Sequence, residues 1–184
     1  TIGYDAWSFY IPQAVLIPLA GDPLWVGRAI DLECARHTSI VPEEGLFGYD
    51  DSYLTSADRH GADFIAEMIL AHCPHARSIG VEQDSPYFTA QYGARLERGL
   101  SDRRLVNADT LVNWVRLVKS DAEIAVMRQA AAITDVAMCR AIDMIAPGVR
   151  QCDVAGAIYQ ALISGHPDFC GDVPDFQTLP MGTR

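Results

Sequence analysis

Residues 119–148 read KSDAEIAVMRQAAAITDVAMCRAIDMIAPG and form the longest helix pattern in the chain. The first turn carries the S-x-x-E pattern of a capping box, in which Ser120 caps the helix and Glu123 reaches back to the cap backbone. Apolar residues then recur at spacings near three and four, which predicts one apolar helix face. These residues are Ile124, Met127, Ala131, Val136, Met138, Ile142 and Ile145. Pro147 and Gly148 end the pattern, because proline cannot continue a helix and glycine suits a helix end. The periodicity predicts a helix but no chemistry.

A second amphipathic helix is predicted at residues 151–163, closed by Gly165. The tail beyond it has repeated glycine and proline breaks and is predicted to be irregular. No strand pattern follows against which the two helices would pack. Because two helices with exposed apolar faces are not a complete domain, we predict that a second domain begins at residue 118 and is incomplete within this chain. The predicted domains are residues 1–117 and residues 118–184.

The first predicted domain mixes strands with helices, which indicates an α/β fold with a sheet covered by helices. Strands are predicted at residues 13–19, 24–27, 38–41, 78–82 and 104–106. Helices are predicted at residues 62–72, 84–98 and 109–117. The turn residues Gly21, Asp22 and Pro23 join the first two strands into a hairpin. The polar segment 42–56 is predicted to be a loop, with Ser56 capping the helix that follows.

The charge balance limits the classes of partner. Acidic residues outnumber basic ones by 24 to 14, a formal net charge of −10. This balance argues against nucleic acid or an anionic membrane as the main partner, because both need a basic surface. No stretch approaches the ~20 apolar residues of a membrane span. The five cysteines are odd in number and dispersed, which fits reduced thiols in a cytoplasmic protein.

The common catalytic motifs are absent from the sequence. It contains no phosphate-binding glycine loop, no G-x-S-x-G elbow and no H-E-x-x-H zinc motif. Three groups contain metal-binding residue types: Asp50 with Asp51, then His72 and Cys73 with His75, and finally His166 with Asp168, Asp172 and Asp175. The first two groups are interpreted as a solvated turn and as histidines at a helix end. The third lies on no regular element, so a solvent-exposed loop is favoured and a metal site is its alternative.

Residues 119–135 also follow the pattern K-S-x-x-E-I-x-x-M-R-x-A-A-x-I-T-D. This pattern resembles the opening helix of the catalytic domain in the creatinase/prolidase ("pita-bread") family of metallohydrolases, and Pro147-Gly148 with the run DVA at residues 153–155 continues it. The upstream runs IGYD at residues 2–5, WVGR at residues 25–28 and IGVE at residues 79–82 resemble the N-terminal domain of that family. The run GYDAWSFY at residues 3–10 is most similar to ectoine-hydrolase-like members.

The resemblance implies a fold and a chemistry. The implied fold is a mixed-sheet creatinase-type N-terminal domain flanked by helices, followed by the first two helices of a truncated pita-bread catalytic domain. The implied activity is hydrolysis of a C–N bond, as in Xaa-Pro peptidases and ectoine hydrolase. Peptidase members use two divalent metal ions, which lower the pKa of a bridging water and polarise the substrate carbonyl. Their ligands lie downstream of the segment that residues 171–182 resemble. No catalytic residue or metal ligand is therefore expected in this chain, which alone is expected to be inactive.

The resemblance also implies a homodimer, because family dimers place the N-terminal domain of one protomer near the active site of the other. Trp7, Phe9 and Tyr10 would then bind a small-molecule or short-peptide substrate in trans. The alternative for these aromatic residues is a strand end packed in a core. The alternative for the whole chain is a non-enzymatic dimerisation or partner-binding module that has lost its catalytic half.

Overall fold

The chain forms two compact units, Thr1–Arg116 (unit 1) and Leu117–Arg184 (unit 2). The computed structural model describes residues 2–4 and 11–171. Within these residues, no helix has the length and apolar character needed to cross a membrane. All five cysteines are free thiols, as their dispersed positions predict.

The described residues of unit 1 form two small sheets. The first contains β1 (Ala14–Leu16), β2 (Leu24–Arg28) and β3 (Leu46–Tyr49), in the order β1-β2-β3. β1 and β2 are antiparallel, which confirms the predicted hairpin, and β2 and β3 are parallel. The second sheet pairs β4 (Ser78–Val81) with β5 (Arg104–Asn107) in parallel. The mixed α/β architecture predicted from the sequence is confirmed.

Four α-helices accompany these strands in the described residues: α1 (Leu32–Thr38), α2 (Gly61–His72), α3 (Ala90–Gly99) and α4 (Leu111–Leu117). α2 and α3 pack against each other and supply most of the buried core. The buried residues of this core are Val26, Ala62, Ile65, Ala66, Ile69, Tyr92, Leu96 and Leu100. Leu16 of β1 and Ile79 of β4 both pack on it, so a single apolar core serves both sheets.

A second cluster of buried residues lies around Trp25 in β2. Ile2, Ala35 and Val41 are buried with it, and the ring of Tyr4 lies 5.4 Å from the Trp25 ring, centroid to centroid. The backbone amide of Ile40 donates to the carbonyl of Ile2 at 2.9 Å, which ties the described N-terminal residues to the end of α1. β2 therefore contributes to both cores, with Val26 in one and Trp25 in the other.

The predicted strand at residues 38–41 is wrong, and a strand is present where a loop was predicted. Thr38 ends α1, where its hydroxyl donates to the Cys34 carbonyl at 2.7 Å, and residues 39–41 are not in a strand. β3 lies inside the predicted loop 42–56, because its pairing with β2 outweighs the loop-like composition around it. Gly48 allows α1 to lie close to β3, since a Cβ at this position would be 2.6 Å from the Leu32 side chain.

The predicted cap of α2 and the predicted start of α3 are also wrong, whereas α2 itself begins within one residue of its predicted start. α2 is capped by His60 rather than Ser56, whose hydroxyl accepts from the amides of Asp58 and Arg59 in the preceding turn. α3 begins after Thr89, whose hydroxyl accepts from the Tyr92 amide at 3.1 Å, and not at residue 84. Ser85, like Ser56, accepts an amide in a local turn, here that of Tyr87 at 3.3 Å, and a later residue caps the helix.

Unit 2 is described as two helices, α5 (Asp121–Met144) and α6 (Gln151–Ser164), which pack against each other. The predicted capping box is confirmed: the Ser120 amide donates to Glu123 Oε2 at 2.8 Å, and the Glu123 amide donates to Ser120 Oγ at 3.3 Å. α5 ends at Met144, before the proline, and Gly148 follows with a φ of +89°. Several large apolar side chains are exposed. On these helices and next to them they are Val126, Met127, Val136, Met138, Ile142, Ile145, Val149 and Ile163.

Candidate functional site

The aromatic residues predicted to bind substrate lie outside the described part of the chain. These are Trp7, Phe9 and Tyr10. Asp172 and Asp175 of the alternative metal cluster also lie outside it. The predictions made for these five residues therefore stay predictions.

The two described members of that metal cluster form a local turn. The Asp168 amide donates to His166 Nδ1 at 3.2 Å, and His166 forms an isolated bridge with Phe169. The His166 ring stacks on the Phe169 ring, with centroids 4.6 Å apart. Nδ1 accepts a hydrogen bond here, so only Nε2 of this histidine is available as a metal ligand.

The other two candidate metal groups have structural contacts. Asp51 accepts two hydrogen bonds from the guanidinium of Arg28, at 2.7 and 2.9 Å, and this contact holds the pKa of the Asp51 carboxyl below its usual range. The His72 ring packs 4.6 Å from the Phe47 ring at the end of α2. Among the described residues, no group of three His, Cys, Asp or Glu side chains is placed to hold a metal ion.

A shallow groove of about 510 Å³ runs along α5 in unit 2. Its lining includes Asp135, Cys139, Arg140, Asp143 and His166. The charges alternate in sign along an exposed helix face, which is usual for a solvated surface. Among the described residues that line the groove, none pairs a nucleophile with a base.

Unit 1 contains a cleft of about 260 Å³ between β1 and β4. Residues 11–16 line one side and residues 79–82 the other, while Ile65, Ile69 and Leu96 of α2 and α3 also line it. Among its described lining residues, Glu82 alone is charged. Such a surface binds apolar or extended groups and offers no acid–base pair for catalysis.

Tyr92 of α3 is the most buried hydroxyl-bearing residue of this cleft. Burial raises the pKa of Tyr92 to about 12, so the phenol keeps its proton at neutral pH. Its ring lies 4.9 Å from the Phe88 ring and contacts the His60 ring edge-on at 6.2 Å. Tyr92 therefore presents a neutral phenol rather than a titrating group.

A network of hydrogen bonds holds the loop before α2 against α3. Arg95 Nη1 donates to Asp63 Oδ2 at 2.7 Å, and the same guanidinium donates to the carbonyls of Ala57 and Asp58 at 2.9 Å. His60 caps α2 inside this network, where its Nδ1 accepts from the Ala62 amide at 3.2 Å. Burial and the nearby Arg95 charge lower the pKa of His60. The network positions the loop and does not create a reactive centre.

Sequence reasoning missed the cleft between β1 and β4. It predicted both strands, but the space between their edges depends on which strands pair. One feature of the sequence is consistent with a space beside β1: the apolar run at residues 13–19 is longer than the three-residue strand that it forms.

Curated relatives match nearly the whole chain. A protein of Sinorhizobium fredii described as an uncharacterized hydrolase/peptidase, y4tM, is 49% identical over 98% of this chain and 46% of its own length. The ectoine hydrolase of Halomonas elongata is 37% identical over 98% of this chain and 47% of its own length. The predicted resemblance to the creatinase/prolidase family is confirmed. The chain spans about half the length of these relatives. No protein-family model matches the chain.

Solved structures of creatinase/prolidase-family enzymes share the fold. The Xaa-Pro dipeptidase of Bacillus anthracis superposes with a TM-score of 0.59 over 82% of this chain and 38% of its own, at 22% identity. The dipeptidase PepE of Mycobacterium ulcerans superposes with a TM-score of 0.56 over 87% of this chain and 40% of its own, at 22% identity. At these identities the likeness establishes the fold alone.

Proposed function

We propose that this chain is the N-terminal part of a metal-dependent C–N bond hydrolase, of the Xaa-Pro peptidase or ectoine-hydrolase type. The observation that supports it most is the 37% identity with ectoine hydrolase over 98% of the chain. On this proposal, unit 1 corresponds to the creatinase-type N-terminal domain and unit 2 to the start of the pita-bread catalytic domain. The full-length protein acts on a small-molecule or short-peptide substrate in the cytoplasm.

The proposed enzyme contains two divalent metal ions, which supply a water of lowered pKa. The described residues do not fit such a site, because no three potential ligands converge. The family resemblance places the ligands downstream of the segment that residues 171–182 resemble, and we assign none of them here. This chain alone is proposed to be inactive.

The proposal is tested with the full-length polypeptide. Metal content is measured by mass spectrometry, and hydrolysis is measured on ectoine and on a series of Xaa-Pro dipeptides. We expect hydrolysis of one of the two substrate classes, its loss on chelation, and its recovery when metal is restored. A metal-loaded full-length protein that cleaves neither class would contradict the proposal.

The trans role of Trp7, Phe9 and Tyr10 is tested in the same assay. We propose that the protein is a homodimer in which these residues line the partner's substrate site. Trp7→Ala is expected to raise KM by about tenfold or more, because the loss of even one methylene contact in an apolar pocket costs about tenfold. Ile30→Ala, which removes an exposed apolar side chain of unit 1, is the control and should leave KM unchanged.

Subunit mixing separates a trans role from a cis role. A Trp7→Ala protomer is mixed with a protomer that lacks one metal ligand in the catalytic half. A trans role predicts recovery of activity in the mixed dimer, because one of its two sites is then complete. A cis role predicts no recovery.

The second candidate function is a non-enzymatic dimerisation or partner-binding module. Its support is the exposed apolar surface of α4, where Trp114, Val115 and Leu117 are all exposed. It predicts a gene that ends after Arg184 and a stable isolated chain whose apolar helices become protected from hydrogen exchange when a partner binds. A gene that continues with metal ligands would exclude it.

A further inference from the structure

A buried tyrosine of unit 1 holds the chain just after the aromatic run (residues 7–10) that is proposed to bind substrate. Tyr49 ends β3 and is 1% exposed, and its hydroxyl donates to the carbonyl of Pro12 at 2.5 Å. In the sequence, only Ile11 separates Pro12 from the aromatic run. The bond joins residues 37 positions apart, so it fixes this part of the chain to the sheet that contains β3.

The surroundings of Tyr49 keep its hydroxyl in place. In the parallel pairing of β2 with β3, Tyr49 lies opposite Arg28. The Tyr49 ring lies 5.6 Å from the Tyr53 ring and 5.8 Å from the Phe64 ring of α2, centroid to centroid. A Cβ at Gly61 would lie 2.7 Å from the Tyr49 oxygen, so α2 begins directly against it. A side chain locked by packing on a strand holds its partner more precisely than a side chain on a loop does.

The Tyr49 hydroxyl can be removed without changing the ring that packs around it. Burial raises the pKa of the Tyr49 phenol, so the phenol stays protonated and donates at neutral pH. Phenylalanine has the same ring and no hydroxyl, so it leaves the Pro12 carbonyl without this donor. The substitution therefore isolates the contribution of the hydrogen bond.

The chain is also held just before the aromatic run. Ile2 is buried, and its carbonyl accepts a hydrogen bond from the Ile40 amide at 2.9 Å. The Tyr4 ring packs 5.4 Å from the ring of Trp25 in β2. The described residues on both sides of residues 5–10 are therefore fixed to unit 1.

We propose that Tyr49 is a positioning residue for the aromatic run: through the Pro12 carbonyl, it holds the run where its side chains reach the substrate. This inference rests on the proposed substrate-binding role of the run. Ordering a segment on binding costs free energy, and a contact that fixes its end beforehand reduces that cost. Loss of the hydroxyl therefore weakens substrate binding and leaves the chemical step unchanged.

Steady-state kinetics of the full-length protein test the proposal, with ectoine and Xaa-Pro dipeptides as substrates. Tyr49→Phe is expected to raise KM about three- to tenfold, the value of one hydrogen bond, and to leave kcat unchanged. Tyr53→Phe removes the hydroxyl of the adjacent ring, keeps the bond to Pro12, and should leave both constants unchanged. A Tyr49→Phe variant that loses stability while its KM stays at the parent value would show a purely structural role and overturn the proposal.

A triple variant, Trp7→Ala with Phe9→Ala and Tyr10→Ala, separates this inference from the proposed function. In that background Tyr49→Phe should leave KM unchanged, because no aromatic side chain remains to be positioned. An equal rise in KM in the triple variant and in the parent would mean that Tyr49 acts by another route, which overturns the inference alone. A triple variant with the KM of the parent would overturn the substrate-binding role and this inference with it.

Fluorine NMR of the full-length protein labelled with 5-fluorotryptophan tests the positioning without any substrate. The Trp7 signal is assigned by its loss in a Trp7→Phe variant. We expect Tyr49→Phe to shift or broaden the Trp7 signal and to leave the signal of the exposed Trp114 unchanged. A Trp7 signal that is the same in the parent and in Tyr49→Phe would overturn the proposal, whatever the protein hydrolyses.

Discussion

Unit 1 and unit 2 bury different kinds of apolar residue. In unit 1 the largest side chains are inside, and Trp25, Tyr49 and Ile65 are at most 2% exposed. In unit 2 the buried described residues are Ala137, Ala141 and Ala157, while larger apolar side chains such as Ile142 are exposed. Burial of apolar area is the main stabilising term of folding, at about 25 cal/mol per Å². Unit 1 therefore depends on contacts between distant elements, whereas the helices of unit 2 depend on local signals and their mutual contact.

The largest expected effect is the loss of stability in unit 1 when the Trp25 side chain is removed. Trp25→Ala leaves a cavity in unit 1 and should lower its free energy of unfolding by about 3–5 kcal/mol. The measurement is native-state hydrogen exchange of the α2 amides in the full-length protein. Trp114→Ala, at a position that is 69% exposed, should change that free energy by less than about 0.5 kcal/mol. Equal losses in the two variants would contradict the distinction between core and surface.

The next effect concerns the ion pair between α3 and α2. Arg95→Ala removes one of the two arginine partners of Asp63, leaving Arg98, together with two hydrogen bonds to backbone carbonyls, and should cost about 2–3 kcal/mol. Arg28→Ala removes a bidentate pair whose carboxylate, Asp51, is largely exposed, and should cost less than about 1 kcal/mol. Urea unfolding of both variants measures the difference. A larger loss at Arg28 would show that burial does not decide the strength of these pairs.

In unit 2 the local capping signal is expected to matter most. Ser120→Ala removes the acceptor for the Glu123 amide and should destabilise the first turn of α5 by about 1 kcal/mol. Exchange of the amides in that turn reports the change, and Ser120→Asp should restore protection because aspartate also caps helices. If amide exchange in the first turn is unchanged in the alanine variant, then contacts with other elements stabilise α5. Unit 2 would then depend on packing, as unit 1 does, rather than on local capping.

The elements predicted correctly from the sequence are those with local signals. The capping box of Ser120 and Glu123 predicted the start of α5, and the hairpin of β1 and β2 followed from a turn sequence. β3 was missed because its partner β2 lies about twenty residues earlier, and pairing at that distance leaves little trace in composition. His60 was missed because histidine is not a common helix cap, and its role depends on the Arg95 network.

The candidate site was less predictable than the fold. The cleft between β1 and β4 is defined by strand edges, and edges are a property of sheet order rather than of any one segment. The aromatic run with Trp7 was identified by its residue types alone, and its environment stays a prediction. Single-sequence reasoning thus identified elements but not the space enclosed between them.

The smallest expected effect is a pH dependence of the stability of unit 1 that arises from His60. His60 Nδ1 accepts the Ala62 amide only when it is unprotonated, and burial with the Arg95 charge lowers the His60 pKa while Asp63 opposes this. His60 therefore binds a proton more readily in the unfolded chain than in the folded one. The stabilisation of unit 1 by neutral His60 is fully present above the unfolded pKa of about 6.5, and it is lost as the pH falls through the lower pKa of the folded state. The free energy of unfolding of unit 1 is measured at pH 7.5 and pH 5.5 in the parent and in the His60→Asn variant. Asparagine is the suitable replacement because it caps a helix without titrating. The parent should lose more stability than the asparagine variant on acidification. An equal loss in both would assign the pH dependence to other groups.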